Sequence, residues 1–190
     1  MGPDGDVVVL VDPDGTARGT APRATVHDEH TPLHLAFSCH LVDTDSRLLL
    51  TRRALTKKTW PGVWTNSFCG HPRPGESFAE AITRHARHEL GIEIGDVRSL
   101  LPDFAYRAVD ASGVVENEVC PVFVAAPATP VIPNPDEVME YAWARPADVW
   151  TVAQHTPWLL SPWFVEQIAA IGSVEALLDD GVSGHGGGAG

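Results

Sequence analysis

The chain has 190 residues, 44% hydrophobic and 20% charged, enough apolar material for the core of one ordinary domain. Against 13 basic residues stand 25 acidic ones, a net charge of −12 with neutral histidines. That balance excludes generic nucleic-acid or polyphosphate binding, which rests on Lys and Arg neutralising phosphates, so an anionic ligand must be small or held through bound cations.

Residues 1–6 lack the basic and apolar stretches of a signal peptide. No apolar run approaches the ~20 residues that span a bilayer. The three cysteines, Cys39, Cys69 and Cys120, are too few and too far apart for a disulfide framework or a CxxC zinc site, so a reducing cytoplasm is the expected setting. Strands are expected over Val7–Val11, Leu33–Leu41 and Leu48–Arg53. Residues 55–75, rich in Pro, Gly, Trp and polar groups, read as loop with short extended pieces. Ser77-Phe78-Ala79-Glu80 is a capping box, which predicts a helix from Ser77 to Gly91. Further strands follow over Phe104–Val109, Val114–Val124 and Tyr141–Ala144, the first two joined by a turn at Asp110–Gly113. A last helix is expected after Pro162, continuing towards Leu178. Strands mixed with two or three helices predict an α+β sandwich, one domain over residues 1–180 with a flexible Gly-rich tail over 181–190.

At ~100° per residue, Phe78, Ile82, Ala86 and Leu90 form the apolar stripe of the Ser77–Gly91 helix, and His85 and Glu89 project within that same sector. A carboxylate facing a core must be paired, neutralised or bound to metal. Taken alone, the helix fits an ion pair with a nearby arginine as well as a metal ligand. Around it, Gly70, Glu76, Arg84, Glu89, Gly91 and Ile92 fall at the spacing of a Nudix box, G-x5-E-x7-R-E-U-x-E-E-x-G-U. His85 and His88 replace two of its glutamates, with which Nudix hydrolases bind divalent ions on a diphosphate.

Four other segments are more specific: Leu33-His-Leu-Ala-Phe37, Arg52-Arg-Ala-Leu-Thr-Lys-Lys58, Trp60 to Pro72 with Thr65-Asn-Ser-Phe-Cys-Gly-His71, and Glu116-Asn-Glu-Val-Cys-Pro-Val-Phe123. Together, from about Val7 to Trp163, the chain resembles the type 1 isopentenyl-diphosphate Δ-isomerases. That resemblance implies a Nudix-type mixed sheet sandwiched between helices. It implies an isomerase of isoprene biosynthesis that converts isopentenyl diphosphate to dimethylallyl diphosphate by protonation at C4 and deprotonation at C2. The rivals are a Nudix pyrophosphohydrolase and a non-catalytic metal-binding module.

The resemblance also implies the site. His27, His34, His71, Glu116 and Glu118 would hold one divalent ion. Glu116 and Glu118, two apart on a predicted strand, leave the same face, and mixed imidazole and carboxylate donors suit Mn2+, Mg2+, Zn2+ or Fe2+ without choosing among them. Glu89 and the main-chain carbonyl of Cys69 would hold a second ion, Mg2+, together with the diphosphate. Arg53, Lys57, Arg23 and Arg84 would complete the cradle, with Arg52 and Lys58 left in solvent. Cys69 and Glu118 would be the proton-transfer pair, Tyr106 hydrogen-bonded beside Glu118, and Trp163 would face the cationic carbon. Trp60 and Trp64 would be walls excluding water. His30, His40, His85, His88 and His155 are given no role, and Cys39 and Cys120 read as small buried hydrophobes. The implied partner is a small diphosphate, with neither nucleic acid nor membrane, and the expected state is a monomer.

Overall fold

A computed structural model describes residues 6–179, so the expected tail over 181–190 lies outside the described residues. A first hairpin joins β1 (Val7–Val11) to β2 (Ala17–Pro22), and the single turn α1 (Arg23–Val26) leads to β3 (His34–Leu35). β4 (Phe37–Leu41), β5 (Leu48–Arg53), β6 (Trp64–Thr65) and β7 (Phe68–Gly70) precede the long helix α2 (Phe78–Leu90). Next come β8 (Arg98–Leu101), β9 (Ala105–Val109), β10 (Val115–Val119), β11 (Val122–Ala125) and β12 (Val138–Ala144). α3 (Pro146–His155), α4 (Pro162–Ile171) and α5 (Val174–Leu178) follow. Among the described residues no helix is long and apolar enough to cross a membrane.

Two of the expected strands are each cut in half. The run Leu33–Leu41 breaks at Ala36 and the run Val114–Val124 breaks at Cys120-Pro121. The halves pair in parallel, His34 opposite Glu118 and Ser38 opposite Val122, so two neighbouring segments change sheet side by side. Pro121 has no N–H for a ladder, and its carbonyl instead accepts from Ser38 N at 3.1 Å, while Val119 O accepts from Ala36 N at 2.9 Å. The sheet β2-β1-β3-β10-β9 thereby passes into β7-β4-β11-β8, with β12-β5-β6 as a third. Nothing in the apolar patterning marks these breaks, because both halves of each run are strand-forming.

β4 is buried on both faces, as a strand between helices must be. Phe37, Cys39 and Leu41 pack with Ile82, Ala86 and Leu90 of α2. On the other face Ser38 and His40 meet Gln167 and Phe164 of α4. Trp150, Phe164, Ile168 and Leu177 from α3, α4 and α5 form that second core against Leu48 and Val124. This is the α+β layering that the sequence predicts.

α2 begins and ends where its caps dictate. Ser77 Oγ accepts from Glu80 N at 3.3 Å, and the Glu80 carboxylate accepts from Ser77 N at 2.9 Å. Gly91 ends it at φ 62°, where a Cβ would also stand 2.5 Å from the Ile132 carbonyl. The final helix is not continuous: Gly172, at φ 81°, divides α4 from α5. β2, α1, β8 and α3 have no counterpart in the expectations. The residues of β2, Ala-Arg-Gly-Thr-Ala-Pro, are exposed or half-exposed and alternate in nothing; they are a strand because β1 is beside them.

Candidate active site

β10 lies between β3 and β9, and its pleat sends Glu116 and Glu118 out of one face. The parallel register sets His34 beside Glu118. His27, just after α1, and His71, just after β7, complete the group. Ligand atoms of His27, His34, His71 and Glu118 all lie within 4.8 Å of one another. His34 Nε2 and His71 Nε2 stand 3.4 and 3.2 Å from Glu118 Oε1, and His27 Nε2 stands 3.1 Å from Glu116 Oε2.

Those atoms are short of partners. His27 Nε2, His34 Nε2, His71 Nδ1 and Glu116 Oε2 are buried without a hydrogen bond, at a typical cost of about 1–3 kcal/mol each. His34 donates from Nδ1 to the Pro32 carbonyl at 2.9 Å, which leaves its Nε2 lone pair facing Glu118. Burial opposes the charge on Glu118, but the adjoining His34 and His71 imidazoles outweigh it and hold the carboxyl well below its usual range. Burial likewise depresses His71, whereas in His34 it is outweighed by Glu118 and the pKa rises. Three imidazoles and the Glu118 carboxylate converge, while Glu116, expected as a fifth ligand, stands beside His27 outside that group; with the unpartnered buried atoms, the donor set fits a divalent cation with nitrogen and oxygen ligands.

Three of the surrounding basic residues, Arg84, Lys58 and Arg53, hold parts of this cluster, and three others, Arg52, Arg23 and Lys57, pair elsewhere. Arg84 does not line the adjoining cavity: it pairs with Glu76 (2.8 and 2.6 Å) and donates to the His71 carbonyl at 3.1 Å. Lys58, expected in solvent, donates to the His27 carbonyl. Arg52, also expected free, pairs with Glu140 at 2.6 Å. Arg53 donates to the carbonyl (2.9 Å) and hydroxyl (3.1 Å) of Thr59, and Thr59 Oγ1 donates to Glu116 Oε1 at 2.7 Å. Arg23 pairs with Asp6 at 2.9 Å, and Lys57 pairs with Glu137. Arg23, Arg53 and Lys57 all line the cavity.

That cavity, about 460 Å³, is bordered by Cys69, Glu118, Tyr106, Glu89 and Trp163 as well as by the histidine cluster. Asn66 organises one wall. Its Nδ2 donates to the Phe68 carbonyl at 2.8 Å and its Oδ1 accepts from Trp163 Nε1 at 3.1 Å and Thr65 Oγ1 at 2.9 Å, so the amide has one orientation. Cys69 Sγ lies 3.2 Å from Asn66 Nδ2 and 3.3 Å from Asn66 Oδ1. Burial pushes the Cys69 thiol up to about 12, against the hydrogen bonds of Ser38 and Asn66, so the sulfur carries its proton at rest. Tyr106, raised by burial and then by Glu118, is the cross-strand neighbour of Glu118. The expected hydrogen bond between the two is not formed; Tyr106 lies instead beside Trp163, 5.7 Å between ring centroids and tilted by 37°. The Arg53 guanidinium lies over the Trp163 ring at 5.4 Å. Trp60 meets Trp163 edge-on at 5.2 Å from behind the cavity wall, with its backbone in the left-handed region at φ 42°, a conformation a bulky residue adopts at a cost of ~1–3 kcal/mol.

Glu89 is buried and paired, but with His85, not with an arginine. His85 Nδ1 donates to Glu89 Oε1 at 2.7 Å. Burial alone would raise the Glu89 carboxyl; the His85 hydrogen bond and nearby cations bring it below its ordinary value. His85 also stands edge-on to Phe37 at 5.3 Å and fills the space where a Gly70 side chain would go. His88, by contrast, is exposed beside Glu137 at 3.5 Å. His85, Asn66 and Thr59 are therefore parts of the site to which the sequence reading gave no role. The four-residue step from His85 to Glu89 on one helix face was a usable signal for the first; nothing local marks the other two.

Residues 32–164 match the NUDIX domain family. The isopentenyl-diphosphate Delta-isomerase of Clavibacter sepedonicus is 58% identical over 163 residues, 86% of this chain and 86% of its own. That of Clavibacter michiganensis subsp. michiganensis is 58% identical over 163 residues, 86% of this chain and 84% of its own. A crystal structure from Deinococcus radiodurans aligns with a TM-score of 0.68 at 19% identity, covering 88% of this chain and 99% of its own, a likeness of fold alone.

Proposed function

We propose that this chain, which belongs to the NUDIX domain family and within it to the isopentenyl-diphosphate Delta-isomerases, interconverts isopentenyl diphosphate and dimethylallyl diphosphate. One observation carries the reading: Cys69 and Glu118 border a single cavity, together with Trp163 and members of a polar cluster fit for a cation.

Moving the double bond is redox-neutral. A proton is added at C4, C3 takes on cationic character, and loss of a proton from C2 returns that bond's electrons as the new C2–C3 double bond. Such a path needs an acid and a base on the two sides of the carbon chain. Cys69 and Glu118 are that pair, one giving as the other receives; the roles exchange in the reverse direction, and the proton is returned between turnovers. The chain's resting forms are thiol and carboxylate. Tyr106 lies across the strand pair from Glu118, and its hydroxyl gives the wall a polar group without a charge. Trp163 lines the cavity and already carries the Arg53 guanidinium over its ring, and cation–π attraction at a dry site reaches ~2 kcal/mol. The packed aromatic wall keeps out water that would trap the cation as an alcohol.

His27, His34, His71, Glu116 and Glu118 would hold one divalent ion, Mn2+, Mg2+ or Zn2+, and Glu89 with the Cys69 carbonyl would hold Mg2+ on the diphosphate. Bound there, the ions supply positive charge that an acidic protein otherwise lacks for a dianionic or trianionic substrate. Arg23, Arg53 and Lys57 surround the same space, each able to trade its present partner for phosphate oxygen. Arg84 instead braces His71.

Incubation with isopentenyl diphosphate and Mg2+ in deuterated water tests the reading. The expected result is dimethylallyl diphosphate with label in its methyl group. Phosphate release without an isomeric product would overturn it in favour of a hydrolase.

A further inference from the structure

Ser38 stands opposite Cys69 in the antiparallel β4–β7 register, with its side chain on the α4 face of the sheet. Its hydroxyl meets three groups: Gln167 Nε2 at 2.8 Å, Cys69 Sγ at 3.1 Å and Cys120 Sγ at 3.6 Å. Ser38, Gln167 and Cys120 are all completely buried, so no solvent competes. A hydroxyl has one proton and two lone pairs, and an amide nitrogen only donates. Gln167 therefore occupies a lone pair, and the single Ser38 proton is left to the sulfurs, of which Cys69 is the nearer.

The orientation of the Gln167 amide follows from what lies behind it. His40 is completely buried against Phe164, and burial pushes its imidazole down to about 4, with the Gln167 amide as the opposing influence. A neutral imidazole has one N–H to offer. Gln167 Oε1 and both His40 ring nitrogens lack hydrogen-bond partners, so this ring is the donor at hand for that oxygen, and Nε2 is turned towards Ser38. Trp163 and Gln167 sit four residues apart on α4, and the helix thus reaches both flanks of Cys69, through Asn66 and through Ser38.

We propose that Gln167 is a positioning residue which, acting through Ser38, aims the serine hydroxyl at the Cys69 sulfur and fixes the geometry from which Cys69 exchanges its proton with substrate. This rests on the reading of Cys69 as a proton-transfer group. Asn66 serves the sulfur from the other side, accepting from the thiol and donating to the thiolate. Without the Gln167 amide, the Ser38 hydroxyl is free to turn towards Cys120 or the vacated space.

Steady-state kinetics with isopentenyl diphosphate and Mg2+ test the relay in Ser38→Ala, Gln167→Met, their double variant and Ser38→Thr, each checked for native circular dichroism and cooperative melting. Both single variants should lose roughly 10- to 100-fold in kcat, the scale of a hydrogen bond to a charged group, with KM within about threefold of the parent. Because the two act in series, the double variant should be no worse than Ser38→Ala, whereas independent effects would multiply. Ser38→Thr keeps the hydroxyl and should retain most of the rate, and this comparison stands even if Gln167→Met does not fold. Multiplying losses, a rise in KM at unchanged kcat, or a Thr variant as slow as the Ala variant would each overturn the proposal. Cys69→Ala separates the levels: if it is inactive while Gln167→Met runs at the parental rate, only the positioning role fails. If Cys69→Ala is active, the reading of Cys69 fails and this proposal with it.

Discussion

His85 stands one helical turn before Glu89, and its Nδ1 holds the Glu89 carboxylate at 2.7 Å. The same ring fills the place of a Gly70 side chain: a Cβ there would lie 2.5 Å from His85 Cε1 and Nε2. A carboxylate that would be free on an isolated helix is thus fixed between α2 and the strand that carries Cys69. Gly70→Ala should destabilise the protein by roughly 1–3 kcal/mol, as overpacking does, and should slow catalysis by displacing the ring. His85→Ala placed on top should recover part of that stability, read as positive coupling in a denaturation cycle. Additive losses would show that the Gly70–His85 contact is not the cause.

Removal of either proton-transfer group is expected to stop the reaction without unfolding the chain. Cys69→Ala and Glu118→Gln should each lower kcat by at least ~10²- to 10⁴-fold, the usual contribution of a positioned acid or base. Circular dichroism should stay native. A near-parental rate in either variant removes that residue from the pair.

A divalent ion should stabilise the protein, because it would satisfy buried atoms that now lack partners. At a hundredfold excess over Kd the gain is ~2.7 kcal/mol, or a rise in Tm of roughly 5–10 °C for a chain of this size. Chelator should reverse the shift and silence turnover together. His34→Gln should abolish most of the shift. Equal melting with chelator and with Mn2+, Zn2+ or Mg2+ would contradict the assignment of the cluster.

The brace on His71 has a pH signature. Glu76, hydrogen-bonded first of all by Arg84, is held down to about 2. A carboxyl with a lowered folded-state pKa contributes stability that is complete above its unfolded value of ~4.3 and disappears as pH falls towards 2. For this partly exposed pair the loss should be of the order of 2 kcal/mol between pH 6 and pH 2. Urea denaturation of Glu76→Gln should show a correspondingly flatter pH dependence. An unchanged slope would mean that other carboxylates carry the acid sensitivity.

Trp163 offers its ring to the cavity and its N–H to Asn66. Trp163→Phe keeps a π face and should be the milder change, whereas Trp163→Leu should cost roughly 30-fold or more in kcat, the equivalent of ~2 kcal/mol of cation–π attraction. Equal rates in the two variants would reduce the residue to a hydrophobic anchor of α4.

Residue order alone determined those parts of the protein whose causes are local. The caps at Ser77 and Gly91 set both ends of α2, and the 3.6-residue period turned Glu89 into the core. The two-residue step from Glu116 to Glu118 put both carboxylates on one strand face. What tertiary structure decided is everything that needs a neighbour from elsewhere in the chain. The breaks at Ala36 and Pro121 exist because two parallel segments change sheets together, and neither run records its partner's position. Arg84 and Lys58 looked like ligands or solvated charges, yet they hold the carbonyls of His71 and His27. A cationic side chain takes the acceptor that folding leaves nearest, and main-chain oxygens leave no mark in a sequence. The Gln167–Ser38–Cys69 contact joins residues 129 and 31 positions apart. Its members are ordinary polar residues whose hydrogen bonding is fixed only when burial removes the competing water.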